Sequence, residues 1–125
     1  MEPRVRIAVE GVQGVGDGRW QVGWLVTNDG PESLALEAAW IPHGRFRGEG
    51  RLPLSVRVDP GGSAQLKFSV TARETPGTNF DNAFLILRGS SESRAWRIFT
   101  RMRIEFDAQA IPLPVIELIT TQPIP

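Results

Sequence analysis

His43 is the only histidine in the chain, and neither cysteine nor tyrosine occurs anywhere. A zinc site needs several imidazole, thiolate or carboxylate ligands converging on one point. One imidazole in the loop Pro42-His43-Gly44 does not supply them, so His43 reads as a solvated loop residue. Carboxylates occur in near pairs, Asp29 with Glu32 and Glu105 with Asp107, the residue types of acid–base or calcium chemistry. No Asp-x-Asp-x-Asp-Gly loop organises them, and they read as a solvated rim. Gly14-x-Gly16-x-Gly18 and the stretch from Gly44 to Gly50 are glycine-rich, yet neither continues into Gly-Lys-Ser/Thr, so no phosphate cradle is expected. The inventory predicts a protein that is not an enzyme and uses no metal or cofactor.

Binding is the chemistry left open. Arg97, Arg101 and Arg103 alternate along one segment and share a face with Phe99, with Arg88 or Arg94 as possible neighbours. The face could take an anion or a nucleic acid, or it could be an outer surface whose arginines pair with Glu105, Glu117 and other acids. The second reading is the one expected, and Phe99 implies that the face is partly covered. The tryptophans could stack sugars, but Trp20 and Trp24 alternate in phase with Val22 and Val26, Trp40 with Leu34 and Leu36, and Trp96 with Ile98. All four are expected in the core. Phe46, between Arg45 and Arg47 in a glycine-bounded loop, is the aromatic expected to be exposed and the best single contact candidate.

The carboxyl-terminal segment 110–125 is almost uniformly aliphatic, with Ile111, Leu113, Val115, Ile116, Leu118, Ile119 and Ile124 relieved only by the charge of Glu117. Such a segment must dock. It either closes its own sheet or adds to the edge of a second copy to make a homodimer, and Val115 and Leu118 are its contact candidates.

These residues need elements to hold them, and the hydrophobic period is close to two throughout. Val5, Ile7 and Val9 alternate with charged residues in a first strand. Gly11 to Gly18 reads as a loop, followed by a strand through Trp20, Val22, Trp24 and Val26 that ends at the turn Asn28-Asp29-Gly30-Pro31. A third strand runs from about Ser33 to Ile41, then a flexible stretch to Gly50. Leu52 to Val58 contains Pro53 and reads as an edge strand. Asp59-Pro60-Gly61-Gly62 turns the chain into Ala64 to Ala72. Asn82 to Arg88 is apolar on both faces, as expected of a central strand, and Gly89 to Ser93 turns it back into the strand from Trp96 to Phe106. Val115 to Thr121 is an eighth strand after the link Ile111-Pro112-Leu113-Pro114. Seven to eight antiparallel strands without a helix predict an all-β, immunoglobulin-like Greek-key sandwich in one domain, residues 1–125.

The totals agree. A chain of 125 residues buries roughly 65–70% of its unfolded surface, enough for a core without disulfide staples. Fourteen basic residues, all arginine except Lys67, balance fourteen acidic ones, so no long-range field draws nucleic acid. No apolar run reaches the roughly 18–20 residues of a membrane span. If Met1 is the native start, the absence of an apolar leader predicts a cytoplasmic protein.

Trp24-Leu25-Val26-Thr27-Asn28-Asp29-Gly30, Leu34-Ala35-Leu36-Glu37 and the run from Val58 through Pro60-Gly61-Gly62-Ser63 to Val70 resemble bacterial immunoglobulin-like accessory modules. The families in question are the cell-adhesion-related bacterial (CARDB) and alpha-galactosidase-associated modules. The resemblance covers roughly residues 20 to 72. It implies a non-catalytic spacer or adhesion module working through a protein partner, and it transfers no site residues. A carbohydrate or small ligand held by loops around Phe46 and Thr78-Asn79-Phe80-Asp81 is the alternative.

Overall fold

The computed structural model describes residues 2–125. Ten strands lie in two antiparallel sheets, and no helix occurs among the described residues. The first sheet contains β1 (Val5–Gly16), β2 (Arg19–Asn28), β7 (Ser63–Thr71), β5 (Phe46–Gly48) and β4 (Pro42–His43), in that order across the sheet. The second runs β10 (Pro112–Pro123), β9 (Arg94–Phe106), β8 (Asn79–Ser91), β3 (Leu34–Trp40) and β6 (Leu52–Val58). The two sheets pack face to face as a β-sandwich. Eight of the strands are the eight read from the alternation. The other two are the short β4 and β5, in a stretch the glycines marked as flexible.

The interior follows from period two. Val22, Trp24 and Val26 of β2 and Leu66, Phe68 and Val70 of β7 meet Leu85 and Leu87 of β8 and Ile98, Met102 and Ile104 of β9. Trp24 is fully buried, its ring 6.1 Å from that of Phe68. Asn28 closes one end of this core. Its Nδ2 donates to the carbonyls of Glu32 (2.7 Å) and Val58 (2.9 Å), and its Oδ1 accepts from the N–H of Gly30 (2.9 Å). One buried amide thus ties β2 of the first sheet to the approaches of β3 and β6 in the second.

Two hairpins are tighter than the glycine and serine content suggests. β1 runs on through Gly16, with Gly16 opposite Arg19, so only Asp17 and Gly18 turn the chain. Both have positive φ, 55° and 69°, the two-residue geometry whose twist matches the strands. Glu92 and Ser93 do the same between β8 and β9 with φ of 50° and 62°.

β8 lies at the centre of its sheet and β6 at its edge, as their compositions require. The apolar tail pairs with β9 of its own chain from Pro112 to Pro123, taking the proline-rich link into the strand. β10 is an edge strand, where proline is tolerated because its missing N–H can face outward.

Candidate interaction surface

β9 alternates without a break, its even-numbered residues from Trp96 to Phe106 buried and Arg97, Phe99, Arg101, Arg103 and Glu105 on the outside. Cross-strand register sets their neighbours. Phe99 stands between Ile86 of β8 and Thr120 of β10, and Arg101 stands between Phe84 and Leu118. Arg97 stands between Arg88 and Gln122, and Arg103 faces Val115. The sequence candidates Arg97, Phe99, Arg101, Arg103, Val115 and Leu118 therefore share one surface, the outer face of the second sheet. Arg94 does not join them, because it falls in the other phase and lies over Trp96, 5.2 Å from its ring centre.

A β-bulge enlarges this surface. The register of β3 shifts between Leu36 and Ala38, and the extra residue Glu37 reverses the phase beyond it. Ala39 then points into the core and Trp40 points outward, opposite Ile86. Trp40 is thus on the outer face and not in the core, which corrects the reading of its phase with Leu34 and Leu36. Strict alternation cannot register an inserted residue. Trp40, Ile86 and Phe99 form one row across three strands, with Phe84 edge-on to Phe99 at 6.3 Å. This thin apolar layer buries Ile86 from outside, and Arg51 caps it with its guanidinium 4.4 Å above the Trp40 ring. At the β10 edge the layer opens to solvent, with Leu113 42%, Val115 43% and Leu118 47% exposed.

Charges frame the apolar row. Arg88 lies 3.8 Å from Glu37, Arg101 lies 3.8 Å from Glu117, and Arg103 lies 3.5 Å from Glu105. None of the three pairs makes a hydrogen bond. Among the described residues, Arg97 and Arg51 have no carboxylate within ion-pair distance, although Arg97 directly opposes Arg88. The Nε atoms of Arg97 and Arg103 are buried without an acceptor.

Phe46 is the other correction. It is 0% exposed and belongs to the core. β5 pairs with β4 and with the end of β7, and this short strand turns the ring inward while Arg45 and Arg47 stay outside. Gly44 and Arg45 alone reverse the chain between β4 and β5. Phe46 therefore offers no contact to a ligand.

His43 is not a free loop residue either. Its ring lies parallel to that of Phe80, 8° apart in plane and 4.8 Å between centres. The guanidinium of Arg45 sits 4.5 Å from the same Phe80 centre and bonds Glu74 at 2.6 Å. His43 Nδ1 accepts the backbone N–H of Arg45 at 3.0 Å, which leaves the ring proton on Nε2. Burial, and secondarily the charge of Arg45, lower the affinity of His43 for a second proton. Its neighbours thus favour the neutral ring, which serves as a packing and hydrogen-bonding group. The ring of Phe80 already carries His43 and Arg45, so it presents no bare platform.

The carboxylate pairs have separate duties. Asp29 takes two hydrogen bonds from Arg6, at 2.6 and 3.1 Å, which hold its pKa below the ordinary value. Asp107 Oδ1 accepts the N–H groups of Gln109 and Ile111 and shapes the turn into β10. Among the described residues no three histidine, aspartate or glutamate side chains converge as metal ligands, and no helix is long and apolar enough to cross a membrane.

The outer face of the first sheet differs in kind. Gln13, Gln21 and Ser69 form one cross-strand row, Gly11, Gly23 and Lys67 the next, and Leu25 and Gln65 continue it. No family model, no curated protein and no solved structure matches the chain.

Proposed function

We propose that this domain is a non-catalytic protein-interaction module whose working surface is the outer face of the second sheet. The observation that carries the reading is the continuity of that face. A partly covered apolar row, Trp40, Ile86 and Phe99, shares its face with three exposed aliphatic residues on β10, which the register sets opposite Arg101, Arg103 and Glu105. Apolar centres framed by arginine are what interface centres favour, and contiguous exposed apolar surface is uncommon without a partner. In this reading the chain is an immunoglobulin-like accessory module of the CARDB kind, acting as a spacer or adhesion element.

A photo-crosslinking amino acid placed at Leu118 tests the reading against the same probe at Gln65, on the opposite face. In cells of the source organism, discrete protein adducts are expected from position 118 and none from position 65. Equal adducts from both positions, or adducts from position 65 alone, remove the second face from its role.

A further inference from the structure

We infer that the partner of this face is an extended protein segment that presents carboxylates interleaved with aliphatic side chains. The inference rests on the interaction reading above and adds the chemistry of the other side.

The argument begins with a like-charge pair. Arg88 and Arg97 are direct cross-strand partners on one face, a placement that is destabilising unless something neutralises it. Glu37 alone stands near, 3.8 Å from Arg88 and making no hydrogen bond to it. Across the face the close ion pairs do not use every arginine. Glu37, Glu105 and Glu117 are matched to Arg88, Arg103 and Arg101, while Arg57 at the far edge is matched to Asp59. Arg51 and Arg97 are left over. The arginines without a close carboxylate lie on a surface whose guanidiniums are already partly stripped of water, since Arg97 Nε and Arg103 Nε are buried and make no hydrogen bond. A carboxylate arriving at the outer guanidinium nitrogens gains charge-assisted hydrogen bonds without having to dehydrate a fully solvated cation.

A receptacle lies beside the pair. An open cavity of about 390 Å³ is lined by Glu37, Ala38, Arg51, Pro53 and Arg88, at the end of the Arg88–Arg97 row. Its lining offers Ala38 and Pro53 to the stem of a glutamate side chain, and the guanidiniums of Arg51 and Arg88, against the single carboxylate of Glu37, to the head.

The aliphatic requirement comes from the opposite edge. Leu113, Val115 and Leu118 are exposed within two strands of the arginines, and only an apolar partner gains by covering them. A polyanion such as RNA would satisfy the arginines and leave these residues wet. A second copy would bring the same arginine surplus against itself. A protein segment carrying both carboxylates and aliphatic groups satisfies both halves.

The experiment titrates the 15N-labelled protein with four probes. These are a short synthetic peptide alternating glutamate with leucine and valine, its lysine counterpart, polyglutamate of equal length, and oligouridylate. The acidic–aliphatic peptide is expected to move the amide signals of Arg88, Arg97, Phe99 and Leu118 and to bind at least tenfold more tightly than the others. Arg97→Gln and Leu118→Ser, each checked for an unchanged signal pattern at the other residues, are each expected to weaken it severalfold. Equal binding of the lysine peptide overturns the charge assignment, and equal binding of polyglutamate overturns the aliphatic one. Tighter binding of oligouridylate points to nucleic acid. Concentration-dependent shifts of the same signals without any probe point to a second copy. Any of these outcomes alongside crosslinks from Leu118 discards the partner chemistry and keeps the face; silence in both experiments discards both.

Discussion

The two sheets of this sandwich share one interior and present opposite exteriors. Outside the first sheet are mainly glutamine, serine, threonine, one lysine and glycine, side chains that hydrate well, with Arg6, Arg19 and Leu25 among them. Outside the second are two phenylalanines, a tryptophan, an isoleucine and a row of arginines, extended at the edge by bare leucine and valine. Because the interior is common to both, the shared core does not account for the asymmetry. A sandwich needs one apolar face per sheet, and only the second sheet has the beginnings of a second one. What is additional to folding is therefore concentrated on one side of the molecule.

The harshest way to break the comparison is to remove the strand that carries its apolar edge. Deleting residues 111–125 uncovers the whole edge of β9 and exposes the core side chains that Ile116 and Ile119 pack against. With roughly 1.5–3 kcal/mol at stake for each fully buried aliphatic side chain, the truncated protein is expected to be insoluble or unfolded. Circular dichroism showing a native spectrum and unchanged melting would refute the structural role of β10.

Asn28→Ala comes next, since it strikes the interior that both faces share. Three hydrogen bonds vanish, and one buried and one part-buried carbonyl lose a donor, at a cost of about 2–4 kcal/mol in denaturant unfolding. A loss below about 1 kcal/mol would mean that water replaces the amide.

Substitutions on the faces sharpen the contrast. Phe99→Ala thins the outer layer over Ile86 and is expected to cost about 1–2 kcal/mol, because the ring is half-buried against Phe84. Gln65→Ala, at a comparable position on the first sheet, should stay within about 0.5 kcal/mol. Equal effects from the two would erase the distinction between the faces as far as stability is concerned.

The smallest effect is one of pH. His43 has a folded-state pKa below its ordinary value, so the unfolded chain binds the proton more readily. Stability contributed by the neutral ring is complete above the unfolded value near 6.5 and declines as pH falls from there toward the folded value. As the sole histidine, its imidazole resonance can be followed alone by NMR. A titration midpoint at or above the ordinary value would contradict the packing of His43 on Phe80.

Sequence reasoning reached the strands because alternation is a direct record of a two-sided sheet. It reached the outward row Arg97, Phe99, Arg101 and Arg103 for the same reason, since the extra residues beside that stretch lie in β8 and β10 and leave β9 itself in regular alternation. It missed Trp40 because a bulge changes phase without any compositional mark; alanine, alanine and glutamate announce nothing. It missed Phe46 because three residues are too few to show a period, and a glycine-bounded stretch looks the same whether it wanders or folds tightly inward. The glycine run before Asp17 was open to the same ambiguity, and pairing with β2, not composition, makes it strand. The partners of the tail were legible only as alternatives, because an apolar segment records that it must be covered and not by what.

The bulge at Glu37 has a consequence for how such a surface can arise or be lost. A point substitution changes one side chain, whereas removing Glu37 would rotate every residue after it by half a turn. The indole would swing into the space Ala39 now fills, and the cap beneath Arg51 would disappear. The aromatic anchor of this face thus depends on chain length within a single strand, and a one-codon deletion would undo it while leaving every remaining residue the same.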